Sequence, residues 1–386
     1  MTGHLQKLFG SIAVTALLLT SAAQAEAIRP ADDTQVLAKA LPRVTSTANP
    51  AVTSGNVDEA LGVARKAIEF GRANADPRAY GEAEAVLAPW WNEANPPQQV
   101  RLLRAVIRQA NHEFSAAAAD LDAVLGQAPR DAQARLSRAF LRMVTGDVEG
   151  AMSDCNALPY GGRGLIRNIC LARASALSGQ AAQGRLVLQQ ALADDRNSAP
   201  AMQKFAAAVL ADLNAGLGLN ADADALYAAA VAEPSPDVSL LAAYADLLLD
   251  MDRAADALLV LADRGEQDAL LLRLAIAAKR TGDPRLAEWS RIMNERFTAA
   301  TAAGNRVHLR EEAMFRLKVE DNPAAALPLA VQNWSVQKEP ADARLLIEAA
   351  LAAHEPEVAQ PVADFIARTK LDDQRLMPLV ARLENK

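Results

Sequence analysis

Aromatic side chains make up 4% of this 386-residue chain, and it has only two cysteines and four histidines. A β-sandwich or barrel fills its half-buried faces with rings and β-branched residues, so the scarcity of rings argues against either. Histidine and cysteine are also too few and too scattered for a metal centre. Beyond residue 25 the histidines are His112, His308 and His354, and none pairs with a second histidine or a cysteine at ligand spacing. His308 and Glu312 stand one helical turn apart, a spacing better suited to a surface contact. No G-x-S-x-G, H-E-x-x-H, Walker or dinucleotide-binding pattern occurs. Acidic pairs lie on polar helical faces with nothing to single one out. The expectation is a protein that is not an enzyme, with no metal and no cofactor.

Also absent is any apolar run near the roughly 20 residues that a bilayer-spanning helix needs, so no stable membrane insertion is expected. The one N-terminal apolar run, Ile12 to Leu19, follows Lys7 and leads into Ala23-Gln24-Ala25. A basic start, a short apolar core and an A-x-A site make a secretory signal peptide over residues 1–25. No cysteine stands at the cleavage point to carry a lipid, so the expected location is periplasmic or secreted. Cleavage removes one lysine and no acid, so the 40 basic and 47 acidic residues become 39 and 47, a net charge of −8. A mildly acidic chain is not expected to bind nucleic acid.

What the chain has in quantity is alanine, leucine and helical periodicity: apolar residues reach 51% despite the shortage of rings, and these two are among the best helix formers. Residues 26–56, broken by Pro30, Pro42, Pro50 and Gly55, read as a linker or irregular N-terminal cap. From residue 57 the chain repeats itself. RLLRAVIR from Arg101 returns as RLSRAFLR from Arg135, 34 residues on. The register continues from Phe114 to Val148, Ala117 to Ala151, Asp120 to Asp154 and Leu121 to Cys155, and Tyr80, Ala83 and Leu87 stand one period earlier. A period of that length is a helix–turn–helix unit that buries its apolar face only by stacking on copies of itself. About nine pairs are expected. They include 58–74 with 77–91, 200–215 with 220–232, 237–250 with 253–263, a long second helix to about residue 303, 307–319 with 323–336, and 342–353 with 356–369. A final amphipathic helix over 372–384 would cover the apolar end.

These units resemble the tetratricopeptide-repeat (TPR) superfamily. The second half of its pattern is carried by Ala117-x-x-x-Leu121 with Pro129 and by Ala83-x-x-x-Leu87, and the first half by Leu271, Leu274, Ala275 and Ala278. DPRAYGEAEAVLAPWW from Asp76 and NWSVQKEPADARLLIEAA from Asn333 resemble an uncharacterised family of exported bacterial tetratricopeptide proteins. The resemblance implies an all-α, right-handed superhelical solenoid over residues 57–386 that binds proteins and brings no activity with it.

In the duplicated stretch the large apolar positions of the pattern fall on Arg101, Arg104 and Arg108, and again on Arg135, Arg138 and Arg142. Arginines do not enter a helix seam without partners. The expectation is therefore a rotated first helix, with Val100, Leu103 and Ile107 inward and the arginines on the opposite arc. Stacked units would join the six into a basic stripe suited to an acidic protein or peptide, a C-terminal carboxylate or an anionic glycan. The alternative is a solvated face paired with Asp120, Asp122, Asp147 and Asp154. Trp90-Trp91 is either a sugar-stacking platform or inter-repeat packing. Cys155 and Cys170, late in one helix and early in the next, are expected to form a disulfide in an oxidising compartment. The function expected is a non-catalytic interaction scaffold or adaptor, with a glycan-binding or glycan-processing envelope protein as its rival.

Overall fold

The computed structural model describes residues 56–159, 164–195 and 197–384. The signal peptide, almost all of the N-terminal linker and residues 160–163 lie outside the described residues. Within them there is no strand. The helices are α1 (Val57–Asn74), α2 (Pro77–Trp91), α3 (Gln98–Ala110), α4 (Phe114–Gln127), α5 (Ala132–Thr145), α6 (Val148–Asn156), α7 (Gly164–Ala176), α8 (Ala181–Asp194), α9 (Pro200–Gly216), α10 (Asn220–Val231), α11 (Val238–Asp250), α12 (Ala254–Val260), α13 (Asp268–Thr281), α14 (Leu286–Ala302), α15 (Leu309–Lys318), α16 (Pro323–Val336), α17 (Pro340–Ala352), α18 (Gln360–Thr369) and α19 (Met377–Glu384).

Consecutive odd and even helices pair as antiparallel hairpins from α1–α2 to α17–α18, which makes nine units among the described residues. The repeat is written in the backbone of the inner turn. Ala75, His112, Gly146, Gly179, Gly218, Asp252, Gly282, Asp321 and His354 each take a positive φ, one per hairpin. That left-handed residue ends the first helix and lets the chain reverse. Glycine fills only four of the nine positions, which hides this period in the sequence. Helix starts follow local chemistry. The Asp131 carboxylate accepts from the Ala134 N–H at 2.9 Å, Asp147 accepts from Gly150 at 2.9 Å, and Asn322 accepts from Ala325 at 3.1 Å.

Along the array, buried alanines let neighbouring helices approach while leucines fill the seams. Ala64, Ala67 and Ala83 pack with Leu61, Leu87, Val100 and Ile107 at the N-terminal end. Leu241, Leu248, Leu270 and Leu274 do the same between α11 and α13. One core, however, joins units distant in sequence. Ala139, Met143, Cys155, Cys170 and Ala174 from α5–α7 share it with Trp334, Leu346, Ala350, Phe365 and Leu376 from α16 onward.

The C-terminal units fold back along the inner turns of earlier ones. The Lys338 N–H donates to the Val144 carbonyl at 2.8 Å, beside Gly146. A Cβ on Gly179 would come within 2.7 Å of the Lys370 carbonyl oxygen. The Gln374 N–H donates to the Gly216 carbonyl at 2.7 Å, and Arg344 pairs with Asp250 at 2.7 Å. Residues 338 to 376 thus meet the turns of the third to sixth units.

Three expectations change in detail. The second helix of the sixth unit is only Ala254–Val260, and the ninth opens with a 3-10 turn, Pro356–Ala359, before α18. The last helix begins at Met377 rather than Asp372. The Asp373 carboxylate takes the Arg375 N–H at 2.9 Å and its guanidinium, and a side chain that bonds its local backbone in this way competes with helix. α19 then packs Leu379, Val380 and Leu383 against the shared core.

Candidate functional site

The six arginines do not form an outward stripe. Arg101 and Arg104 are buried, and Arg108, Arg135, Arg138 and Arg142 are half-buried. Arg104 grips Asp120 with two bonds of 2.9 and 2.6 Å, and Arg108 adds a third at 2.7 Å. One repeat later Arg138 grips Asp154 at 2.8 and 2.7 Å, with Arg142 at 2.8 Å and Arg135 at 3.4 Å. Arg101 donates to the Ala94 carbonyl at 2.8 Å, and Arg135 to that of Pro129. The exposed Asp122 and Asp147 take the outer flanks, pairing with Arg138 at 2.7 Å and Arg142 at 3.3 Å.

The first helix is therefore not turned away from its seam. Val100, Leu103 and Ile107 pack on the preceding unit, Leu102 and Ala105 on α4, and the arginines lie between, facing the carboxylate supplied by the second helix. A partner at arginine + 16 made the seam habitable, and the paired alternative describes these side chains better than the stripe does.

Cys155 and Cys170 form a disulfide with Cα atoms 5.5 Å apart. It ties α6 to α7, and closing a loop of this length contributes about 3 kcal/mol in the chain-entropy picture. Trp90 and Trp91 pack against the N-terminal core, with Arg108 over the Trp91 ring at 5.6 Å. Trp334 meets Phe365 edge-on at 5.3 Å. Glu312, the acid near His308, is held by Arg316 at 3.0 Å, and no metal-ligand cluster occurs among the described residues. His112 and His354 are turn residues with a left-handed backbone.

Sequence reasoning missed a charged space among the described residues. Where the C-terminal units face α7, α9 and α11 they leave a cavity of about 460 Å3. Leu177, Val209, Leu213 and Ala242 form an apolar wall; Arg173, Asp212, Asp246, Arg273, Arg310, Glu311, Glu339 and Arg375 supply charge. Most of the charge is paired. Arg273 binds Asp246 at 3.0 and 2.7 Å, Arg310 binds Asp342 at 2.6 Å and Glu339 at 2.7 Å, and Arg375 binds Asp373.

Asp212 reaches solvent, but the protein packed around its carboxyl desolvates it and pushes it above the usual aspartate range, although the Tyr227 hydroxyl donates to it. Burial also pushes Glu339 upward, but Arg310 outweighs it and holds that carboxyl below its ordinary value. No local motif marks these residues, because they come from units up to five repeats apart. Space, apolar wall and charge together suit a small polar ligand.

No family model and no curated protein sequence matches the chain. Among solved structures it is similar to a chain of the APC/C hetero-tetramer Cut9–Hcn1, at TM-score 0.50 and 13% identity over 85% of this chain, spanning 63% of that one. It is also similar to a Rap protein complexed with competence and sporulation factor, at TM-score 0.47 and 13% identity, covering 86% of this chain and 89% of that one. A tetratricopeptide repeat protein from Parabacteroides merdae gives TM-score 0.39 and 13% identity over 78% and 99% of the two chains. Identities this low speak to the fold alone, and the fold is a TPR-like all-α helical-repeat solenoid.

Proposed function

We propose that this chain is an exported, non-catalytic adaptor of the cell envelope that binds a partner protein through its repeat-lined surface. The observation that carries the reading is the architecture itself: hairpin follows hairpin from Val57 to Thr369, and the fold is shared with a chain from a hetero-tetrameric assembly. Stacked hairpins present long continuous surfaces at little cost in internal order, because each unit is stabilised by its neighbours. The Arg–Asp seams stiffen the second and third units and the disulfide stiffens the junction of the third with the fourth, which favours a rigid platform over a flexible linker.

Export rests on the N-terminal segment and agrees with a cystine between α6 and α7, since disulfides persist in oxidising compartments. The test is cross-linking in intact cells, followed by mass spectrometry of the captured material and of the mature N-terminus. An adaptor yields a reproducible protein partner and a chain beginning at Glu26. A chain that retains its leader in the cytoplasm, or that sediments with purified peptidoglycan and captures no protein, overturns the reading.

A further inference from the structure

The cavity between the N-terminal and C-terminal arms carries charge that the fold leaves unused. Of its four arginines, Arg273, Arg310 and Arg375 are paired within the chain. Arg173 is not. Its guanidinium rests over the Phe140 ring at 5.5 Å and meets no carboxylate at bonding distance among the described residues. Across the space, Glu311 has no ion pair, Asp212 accepts only from the Tyr227 hydroxyl, and Asp372 accepts from the Gln374 amide at 3.1 Å. One cation without a contact ion pair therefore shares the cavity with three carboxylates that make none, although the charges of Arg173 and Arg375 reach Asp212 and those of Arg310 and Arg273 reach Glu311. Asp212 is solvent-accessible at this surface although its carboxyl is pushed up by the surrounding protein. This carboxylate has no evident structural duty, because Tyr227 would be served as well by an asparagine.

We infer that this cavity is a binding site for a small zwitterion, a free amino acid or dipeptide. Its carboxylate would sit on Arg173, its ammonium would face the Asp212 and Glu311 side, and its side chain would lie on the Leu177, Val209 and Leu213 wall. A guanidinium and a carboxylate form the strongest common recognition pair, and the volume lies within the usual range for small-ligand sites. The excess of carboxylates favours a ligand of net positive charge. Arg173 belongs to α7 and Glu311 to α15, so the ligand would also bridge the two arms. This site is separate from the outer surface proposed for a protein partner, and either reading can fail alone.

Titration calorimetry on the full mature chain with defined dipeptides tests it. Lys-Leu is expected to bind most tightly, Leu-Leu less so, and Glu-Leu least. Acetylating the amine of Leu-Leu, or amidating its carboxylate, is expected to weaken binding at least about tenfold, the equivalent of about 1.4 kcal/mol. Arg173→Gln should weaken Leu-Leu by a similar factor and leave the amidated form unchanged. If that variant melts early, Glu311→Gln, read on free against acetylated Leu-Leu, supplies the same comparison from the other side. Absence of binding by all three free dipeptides at about 1 mM, weaker than ordinary specific recognition, overturns the inference. So does binding that is indifferent to both blocking groups.

Discussion

Asp120 and Asp154 stand one repeat apart, and each draws a cluster of arginines into a helix seam. Their side chains are 7% and 2% exposed, so removing either carboxylate strands guanidinium groups that water reaches poorly. Asp120→Ala and Asp154→Ala are each expected to cost about 3 kcal/mol, measured as the shift in urea unfolding free energy. Asp122→Ala, at a side chain 60% exposed, should cost under about 1 kcal/mol. Equal effects at the three positions would refute the seam assignment.

Residue chemistry also fixes the inner turns. His354 is exposed and holds φ at 60°, a conformation that costs a non-glycine residue about 1–2 kcal/mol. His354→Gly should therefore stabilise by about 0.5 kcal/mol once the added freedom of the unfolded chain is counted, visible as a higher urea midpoint at unchanged slope.

At the scale of the element, glycines with similar backbones carry different duties. Gly282 has φ of 73° and nothing within 4 Å of where a Cβ would be, whereas Gly179 has φ of 70° and faces the Lys370 backbone. Gly282→Ala should cost only the conformational penalty, about 1 kcal/mol. Gly179→Ala adds a clash with backbone that has no side-chain freedom to yield. It should loosen the C-terminal arm, seen as a larger radius of gyration in X-ray scattering and faster proteolysis beyond α17. Identical behaviour of the two variants would mean that the approach at Lys370 does not hold the arm.

The sequence made the hairpins readable at this scale, because pair, turn and second-helix pattern are local properties. It misjudged the first helix of the duplicated units. A 3.6-residue period says which side chains share a face; it does not say that the facing helix brings an aspartate to meet arginine there. The helix expected from Asp372 starts late for a partly related reason: the Asp373 carboxylate takes the Arg375 N–H locally, and the Gln374 N–H goes to the Gly216 carbonyl, far away in the chain.

For the whole molecule, closure of the C-terminal arm onto earlier turns should depend on pH. His112 sits in the α3–α4 turn beside Val307 and Leu309. Burial pushes its imidazole below the ordinary 6.5, aided by Arg310 and His308 and opposed by Glu311 and Glu339. The native state thus binds fewer protons than the unfolded chain, so this stability is fully present above about pH 6.5 and is lost as pH falls through the lower folded value.

Glu348 joins α17 to Lys318 at 2.9 Å and Arg344 at 2.7 Å. Burial pushes its carboxyl up, but the two cations prevail and hold it below its usual 4.5. Its contribution is present above about pH 4.5 and disappears on further acidification. Stability should thus fall from pH 7 to 5 and more steeply below, and scattering should register an opened arm at the acid end. His112→Gln is expected to flatten the upper part of the profile; an unchanged slope there would assign it to another group.

By itself the sequence determined the class and the period, because alanine-rich helices with one apolar face have no stable state except stacked on one another. It also placed the two cysteines close enough to bond, since adjacent units put neighbouring helices in register. Only the tertiary structure decided what the arginines do, where the C-terminal units lie and that a charged cavity remains between the arms. Those outcomes depend on contacts between residues tens to hundreds of positions apart, set by the small rotation each unit adds to the last. A periodic pattern constrains each step of that rotation too loosely to reveal where the far end of the chain comes to rest.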